Sequence, residues 1–372
     1  GGKTGKGNLI RAGPGDGGPG GGSRALKRAF SAREDSCLIV SALALIGPHP
    51  SLSQTRAMEQ ALVSPRGFAF LSAGASFLRT GKPKTPVYEV NARYAEHLRT
   101  LITEGEFDAL LCLHRYPAEA VSHIRKSLAF SARCCFVSCD YATVPFLEET
   151  RLDHYFTPHG SIVSAYESRG LPANKLLQAG IPLPADWFRA EDMEDARALL
   201  NLPQQMPCYF IPYASDPVKA VEALLKSLPG ENGRVCVLAP DGAPPKSPFV
   251  ARFSGDVRVV VVDDQDPLAL YWAACDVMLA SPSGPLSAAA AVLSMPLVHL
   301  PATDAFEAQT AQFFSSRGMS LSGESEVDCA QLAVSLASSI SRRESMRLMQ
   351  QSENQAAGAQ QIVRFLHEGR LQ

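Results

Sequence analysis

Five polar side chains between residues 107 and 188 fall just past the ends of apolar runs: His114, Asp140, Tyr141, Glu148 and Glu149. An imidazole or carboxylate placed there can take a proton from a substrate hydroxyl or hold it by hydrogen bonds. Each has a plainer use as well. His114 heads a His-Arg-Tyr-Pro turn and can cap the helix that follows, and Asp140 can tie down the 141–150 loop. His159, at the start of a further helix, reads as structural. A second group is Ser281-Pro282-Ser283-Gly284-Pro285-Leu286-Ser287, between an apolar run and an Ala-rich helix. Backbone amides at a helix start, with the hydroxyls of Ser281, Ser283 and Ser287 beside Gly284, can bind phosphate. Ordinary N-capping by Ser283 accounts for the same residues. A third group mixes Phe68, Phe70 and Phe77 with Arg66, Arg79, Lys82 and Lys84. It suits a segment lying on an anionic membrane surface. Packing of the same phenylalanines into a core is the alternative.

These groups need a scaffold, and the apolar pattern supplies one. In the first half a helix is expected at 23–30, strands at 37–43, 109–113 and 134–138, and a helix at 117–130. In the second half, strands at 207–213, 234–239, 257–262, 276–280 and 296–300 alternate with helices at 216–228, 246–253, 267–274, 286–294 and 305–316. A long helical stretch, 326–369, follows. Such alternation predicts α/β domains with parallel sheets covered on both faces. Ligands bind such sheets at the carboxyl ends of the strands. The 13–23 stretch GPGDGGPGGGS holds more Gly and Pro than a phosphate-binding turn needs, and reads as a flexible loop or an altered N-terminus.

Composition limits the functions available. The 372 residues suit two domains. A net charge of −2 argues against nucleic acid as a partner. Residues 1–85 nevertheless carry 12 Lys+Arg against 4 Asp+Glu. Nine cysteines with no CxxC pair read as small core residues in a reducing compartment. Cys134 and Cys135 are adjacent on a strand and point to opposite faces, which excludes a shared zinc. Asp263-Asp264, the nearest approach to a DxD metal motif, reads as a strand-end turn, so no metal or cofactor is expected. No apolar run reaches the roughly 18 residues of a membrane span. A cytoplasmic protein, peripherally associated with the inner face of the plasma membrane, is the expectation.

The 107–188 stretch closely resembles the acceptor domain of the monogalactosyldiacylglycerol synthase and processive diacylglycerol glucosyltransferase group, in glycosyltransferase family 28. The His-Arg-Tyr-Pro turn at His114 matches that group's His-Pro-Phe-Pro turn, and Asp140-Tyr141 matches its Thr-Asp-Tyr segment. The resemblance is strong over about 85–190 and fair over 255–318. It implies a GT-B-like fold, two Rossmann-like domains facing across a cleft. It implies an acceptor and membrane-facing domain at 1–190, a nucleotide-sugar donor domain at 191–342, and a C-terminal helix, 343–372, returning to the first domain. The implied function is transfer of a hexosyl group from a UDP-sugar to diacylglycerol or a related lipid. His114 and Asp140 are then the catalytic candidates. Ser281, Ser283, Gly284, Ser287 and Glu307 are donor-binding candidates, Glu307 being what remains of the group's Gly-Gln-Glu-x-x-Asn pattern. Tyr141, Phe68, Phe70, Phe77, Arg79, Lys82 and Lys84 are the acceptor or membrane candidates.

The chain also departs from the group. The Glu expected on the ribose is Ala289, and a Gly-rich phosphate loop is replaced by Ala214-Ser215-Asp216-Pro217. The His expected as base in the first Gly-rich turn is absent, since no His precedes His49. A missing general base costs about 10²–10⁴ in rate, so poor transfer or none is expected. Two alternatives stand beside the enzyme: an impaired homologue acting as a lipid- or partner-binding module, and a UDP-sugar epimerase of similar architecture.

Overall fold

The computed structural model describes residues 7–12, 21–41, 95–105, 107–188, 191–240, 247–263, 266–353 and 358–371. Phe68, Phe70, Phe77, Arg79, Lys82 and Lys84 lie outside the described residues, as does most of the Gly-rich stretch. The chain divides into two units. One holds Gly1–Pro184, Asp304–Phe306 and Ala356–Gln372, and the other Ala185–Thr303 and Glu307–Gln355.

The first unit is built on six parallel strands: β1 (Gly7–Ala12), β2 (Ser36–Ser41), β3 (Ala109–Cys112), β4 (Arg133–Val137), β5 (His154–Thr157) and β6 (Leu176–Gln178). Their order is β2-β1-β3-β4-β5-β6. Strands buried on both sides must be apolar throughout, and β3 is buried at every residue. Alternation then divides β3, β4 and β5 between two cores. Leu110, Cys112, Cys134, Phe136 and Tyr155 face α2 (Ala95–Gly105), α3 (Arg115–Ile124) and α4 (Gly160–Ser168). Leu111, Leu113, Cys135, Val137 and Phe156 face α1 (Gly22–Ser31). Cys134 and Cys135 thus sit in different cores, and all nine cysteines are free thiols.

The second unit repeats the plan. Its strands are β7 (Cys208–Ile211), β8 (Arg234–Leu238), β9 (Val259–Val262), β10 (Val277–Ala280), β11 (Leu297–His299) and β12 (Leu321–Ser322). They run parallel in the order β12-β11-β10-β7-β8-β9. The helices are α5 (Met193–Leu199), α6 (Pro217–Ser227), α7 (Pro248–Phe253), α8 (Leu268–Ala274), α9 (Gly284–Val292), α10 (Ala305–Ser315) and α11 (Glu326–Ala337). Proline opens α6 and α7, where its fixed φ suits a first turn and its missing N–H costs nothing.

The single C-terminal helical stretch expected at 326–369 is three helices. After α11 comes α12 (Ile340–Ser352), which belongs to the second unit, and then α13 (Gly358–Glu368), which belongs to the first. Ser339 caps α12, and that is where the first break falls. Ile362, Val363, Phe365 and Leu366 of α13 enter the core of the first unit. His367 Nε2 lies 2.6 Å from Asp35 Oδ2, and Arg133 Nη1 donates to Leu366 O at 3.4 Å. The helix can start where it does because residue 358 is glycine. Its N–H donates to Ile181 O at 2.8 Å, and a Cβ there would lie 2.2 Å from Gly180 O.

Candidate functional site

Each sheet has one place where neighbouring strands send their connections in opposite directions, and such switch points are where open α/β sheets hold ligands. In the second unit it lies between β7 and β10. The loops that leave those strands are tied together: Ser281 N–H donates to Tyr213 O at 3.1 Å, and Ser215 N–H donates to Ser281 Oγ at 3.0 Å. Ser281 is 1% exposed, and its hydroxyl is used in this tie. Ser283 caps α9, its Oγ accepting from Leu286 N–H at 3.4 Å.

Ser287 is buried and donates to Ser283 O at 2.7 Å. Its oxygen also lies 2.9 Å from His299 Nε2, while His299 Nδ1 lies 3.1 Å from Ser320 Oγ. Since the Ser287 proton goes to Ser283 O, proton counting places a hydrogen on Nε2 and makes Nδ1 the acceptor from Ser320. Burial pulls the His299 pKa down to about 3, so this relay is neutral. Of the four loop residues read as donor contacts, Ser281 and Ser287 are therefore internal scaffold, and Ser283 and Gly284 remain at the helix start. Sequence reading missed His299, because one His in an apolar run looks like any strand residue.

The other second-unit residues singled out in the sequence follow the same pattern. Glu307 Oε2 accepts from Thr303 N–H at 2.7 Å and from Thr303 Oγ1 at 2.9 Å, which fixes the start of α10. Ala289 is fully buried, in the run Ala288–Ala291 that packs α9 into the unit. Asp216 uses its side chain on its own helix. It caps α6, with Oδ1 accepting from Lys219 N–H at 3.0 Å and Oδ2 lying 3.1 Å from Lys219 Nζ. The Lys219 backbone N–H, ahead of its ammonium, holds the Asp216 carboxyl below its usual range. A carboxylate of the chain itself thus occupies the electropositive end of this helix, the kind of position that favours anions.

In the first unit the switch point lies between β1 and β3. His114 follows β3 and its carbonyl accepts from Ala118 N–H at 3.4 Å, which starts α3. Burial first, and the Arg115 charge second, lower the His114 pKa to about 4. The imidazole is neutral at neutral pH and a weak base. Asp140 is half-buried past the end of β4, and its carbonyl accepts from Ser138 Oγ at 3.1 Å. Tyr141 is 2% exposed, so its ring is part of the packing and not of a membrane-facing surface. His159 caps α4 through Nδ1, which accepts from Ser161 N–H at 3.1 Å.

Arg115 organises the 141–150 loop. Its Nη2 lies 3.0 Å from Glu119 Oε1, with both side chains buried, and its Nη1 donates to Pro145 O at 3.1 Å. The guanidinium stands 5.7 Å above the Phe146 ring. Phe146 itself has φ 62, a left-handed conformation that bulky residues rarely take. Two residues on, burial raises the Glu148 carboxyl above its usual range.

Residues 25–183 match the family model described as monogalactosyldiacylglycerol (MGDG) synthase. The resemblance read from the sequence therefore holds over these residues. A comparison with curated protein sequences gives no match. Among solved structures, the spinosyn rhamnosyltransferase SpnG superposes with a TM-score of 0.63 at 12% identity, covering 97% of this chain and 99% of that one. The Streptomyces sp. SF2575 glycosyltransferase SsfS6, complexed with thymidine diphosphate, gives 0.58 at 15% identity over 98% and 99%. A UDP-N-acetylglucosamine 2-epimerase gives 0.56 at 14% over 98% and 97%. At these identities the likeness is one of fold: the chain has the GT-B-like α/β architecture, with two Rossmann-like units.

Proposed function

We propose that the chain is a lipid hexosyltransferase, moving a hexosyl group from a UDP-sugar to diacylglycerol or a related lipid, with a weakened donor side. The observation that carries this reading is the MGDG synthase match over 25–183, which spans His114, Asp140 and the loop held by Arg115. In this reading the first unit receives the lipid hydroxyl. The second unit holds the nucleotide at the β7–β10 switch point, where the Gly284 amide and the Ser283 cap lie at the start of α9. The likeness to a glycosyltransferase complexed with thymidine diphosphate is compatible with a nucleotide there.

The chain's own residues set the chemistry. A neutral His114 can hold a hydroxyl or accept its proton, but its pKa of about 4 makes it a weak base. The partial charge at the α9 N-terminus can stabilise a leaving diphosphate. The basic, aromatic stretch 66–84 would bring the chain to an anionic membrane, each basic residue contributing about 1 kcal/mol. A second reading, a lipid-binding module that has lost transfer, is favoured by Asp216 at the α6 end and by the apolar Ala289.

Calorimetric titration of UDP against the chain and Gly284→Val tests the nucleotide's placement. A branched side chain at this helix start should weaken UDP binding about tenfold or more. Equal affinity for both proteins would put the nucleotide elsewhere.

A further inference from the structure

The first unit contains two oppositely charged side chains, Glu148 and Arg169, that influence each other through space. Glu148 Oε2 and Arg169 Nη1 are each shielded from solvent, and each lacks a hydrogen-bond partner among the described residues. The Arg169 charge stabilises the Glu148 carboxylate through space, yet no ion pair joins them among the described residues. Tyr166 senses both charges. Its phenol oxygen already accepts from Val144 N–H at 2.8 Å, so what it has left to offer is its own proton.

Native structures pair nearly all their buried polar atoms, and two charged side chains that each bury an unpaired atom call for an explanation. The backbone adds to this. Phe146, two residues before Glu148, is held in its left-handed conformation by the Arg115 guanidinium over its ring and the Arg115 bond to Pro145 O. Such strain persists where the surroundings over-determine it, and it concentrates at ligand sites.

We propose that Glu148, Arg169 and Tyr166 form a subsite for a hydroxyl-bearing ligand. Resting on the lipid reading above, that ligand is a diacylglycerol. Its free hydroxyl donates to Glu148 Oε2, and a neighbouring ester carbonyl accepts from Arg169 Nη1 or the Tyr166 hydroxyl. The subsite explains why Glu148 Oε2 and Arg169 Nη1 are each buried without a partner: the ligand supplies the missing donor to one and the missing acceptor to the other.

The test is a titration of the full chain with sn-1,2-dioctanoylglycerol in detergent micelles. Trioctanoylglycerol serves as the analogue without the hydroxyl, and glycerol, followed by saturation-transfer NMR, as the headgroup fragment. Dioctanoylglycerol should bind at least tenfold tighter than trioctanoylglycerol, and Glu148→Gln and Arg169→Met should each weaken it about tenfold. Glu148→Gln should leave the melting temperature level or higher, because Oε2 gives up no existing partner. A purely structural carboxylate would lower it. Glycerol binding lost in Glu148→Gln, without any dioctanoylglycerol binding, would keep the hydroxyl subsite and remove the lipid reading. Equal binding of the two lipids, no binding of lipid or glycerol, or unchanged affinity in Glu148→Gln would overturn the proposal.

Discussion

The loops that leave β3 and β4 in the first unit and those that leave β7 and β10 in the second stand at matching places on two parallel sheets. They use their polar side chains differently. In the second unit Ser281 goes to Ser215, Ser287 to Ser283 and His299, Asp216 to Lys219, and Glu307 to Thr303. In the first unit a buried pair, Arg115 and Glu119, braces a strained loop, and beyond it Glu148 and Arg169 keep buried atoms unpaired. Internal pairing stabilises a fold, whereas a buried polar atom left without a partner costs free energy and calls for a separate explanation. The second unit also buries atoms without a partner among the described residues, Thr310 Oγ1 and Gln350 Oε1 among them. The contrast therefore belongs to these loops: those of the second unit spend their polar groups on one another, and the first unit's loop leaves Glu148 Oε2 open.

The largest effect should come from the brace. Arg115→Met removes the buried ion-pair partner of Glu119, and breaking a buried pair from one side costs about 3–5 kcal/mol. Both tryptophans, Trp187 and Trp272, lie in the second unit, so their fluorescence follows that unit alone. In a guanidinium titration the variant should lower the midpoint of the far-UV dichroism change while the tryptophan transition moves little. A loss under about 1 kcal/mol would mean that this pair does not hold the loop.

Acid should act on both units. His299 is buried neutral, with a pKa of about 3 against an ordinary 6.5. A depressed pKa gives stability that is complete above the unfolded value and lost as pH falls through the folded one. The tryptophan-reported unit should thus lose about 1.4 kcal/mol per pH unit from this residue, starting near pH 6.5 and continuing toward pH 3. His114 gives the same sign in the first unit, over the window from 6.5 to about 4. A second-unit stability flat across pH 6.5–4 would show that the Ser287–His299–Ser320 relay tolerates a charged imidazole.

The sequence made the scaffold legible because buried parallel strands are apolar runs, and those runs recur at intervals that fit a crossover helix. It also made legible the opposite facings of Cys134 and Cys135. What it hid depends on long-range partners. His299 meets Ser287 and Ser320, 12 and 21 residues away, and nothing local in the run Leu297–His299 marks it. Asp216 followed by proline reads equally as a cap or as a charge aimed at a ligand, and only its bond to Lys219 N–H decides for the cap. The Arg115–Glu119 pair was in principle visible as an i,i+4 spacing, but burial is what gives it weight. Phe68 through Lys84, read as a membrane contact, lie outside the described residues and remain a proposal from composition.

A smaller effect sharpens the donor side. Asparagine caps a helix about as well as aspartate, so Asp216→Asn should leave stability within a few tenths of a kcal/mol. It removes a negative charge from the place a diphosphate would approach, and UDP should bind about three- to tenfold tighter at low salt. Uridine, which lacks the phosphates, should bind both proteins equally. Unchanged UDP affinity would mean that the diphosphate does not approach α6, and that this carboxylate is a cap and nothing more.

The most direct test of the account is transfer itself. Radiolabelled UDP-glucose and UDP-galactose would be incubated with the full chain and diacylglycerol vesicles, and the lipids extracted and counted. The account predicts slow incorporation from one of the two sugars, slower still in Glu148→Gln and faster in Asp216→Asn. No label in the lipid from the chain or from Asp216→Asn, or a rapid turnover indifferent to Glu148→Gln, would contradict it.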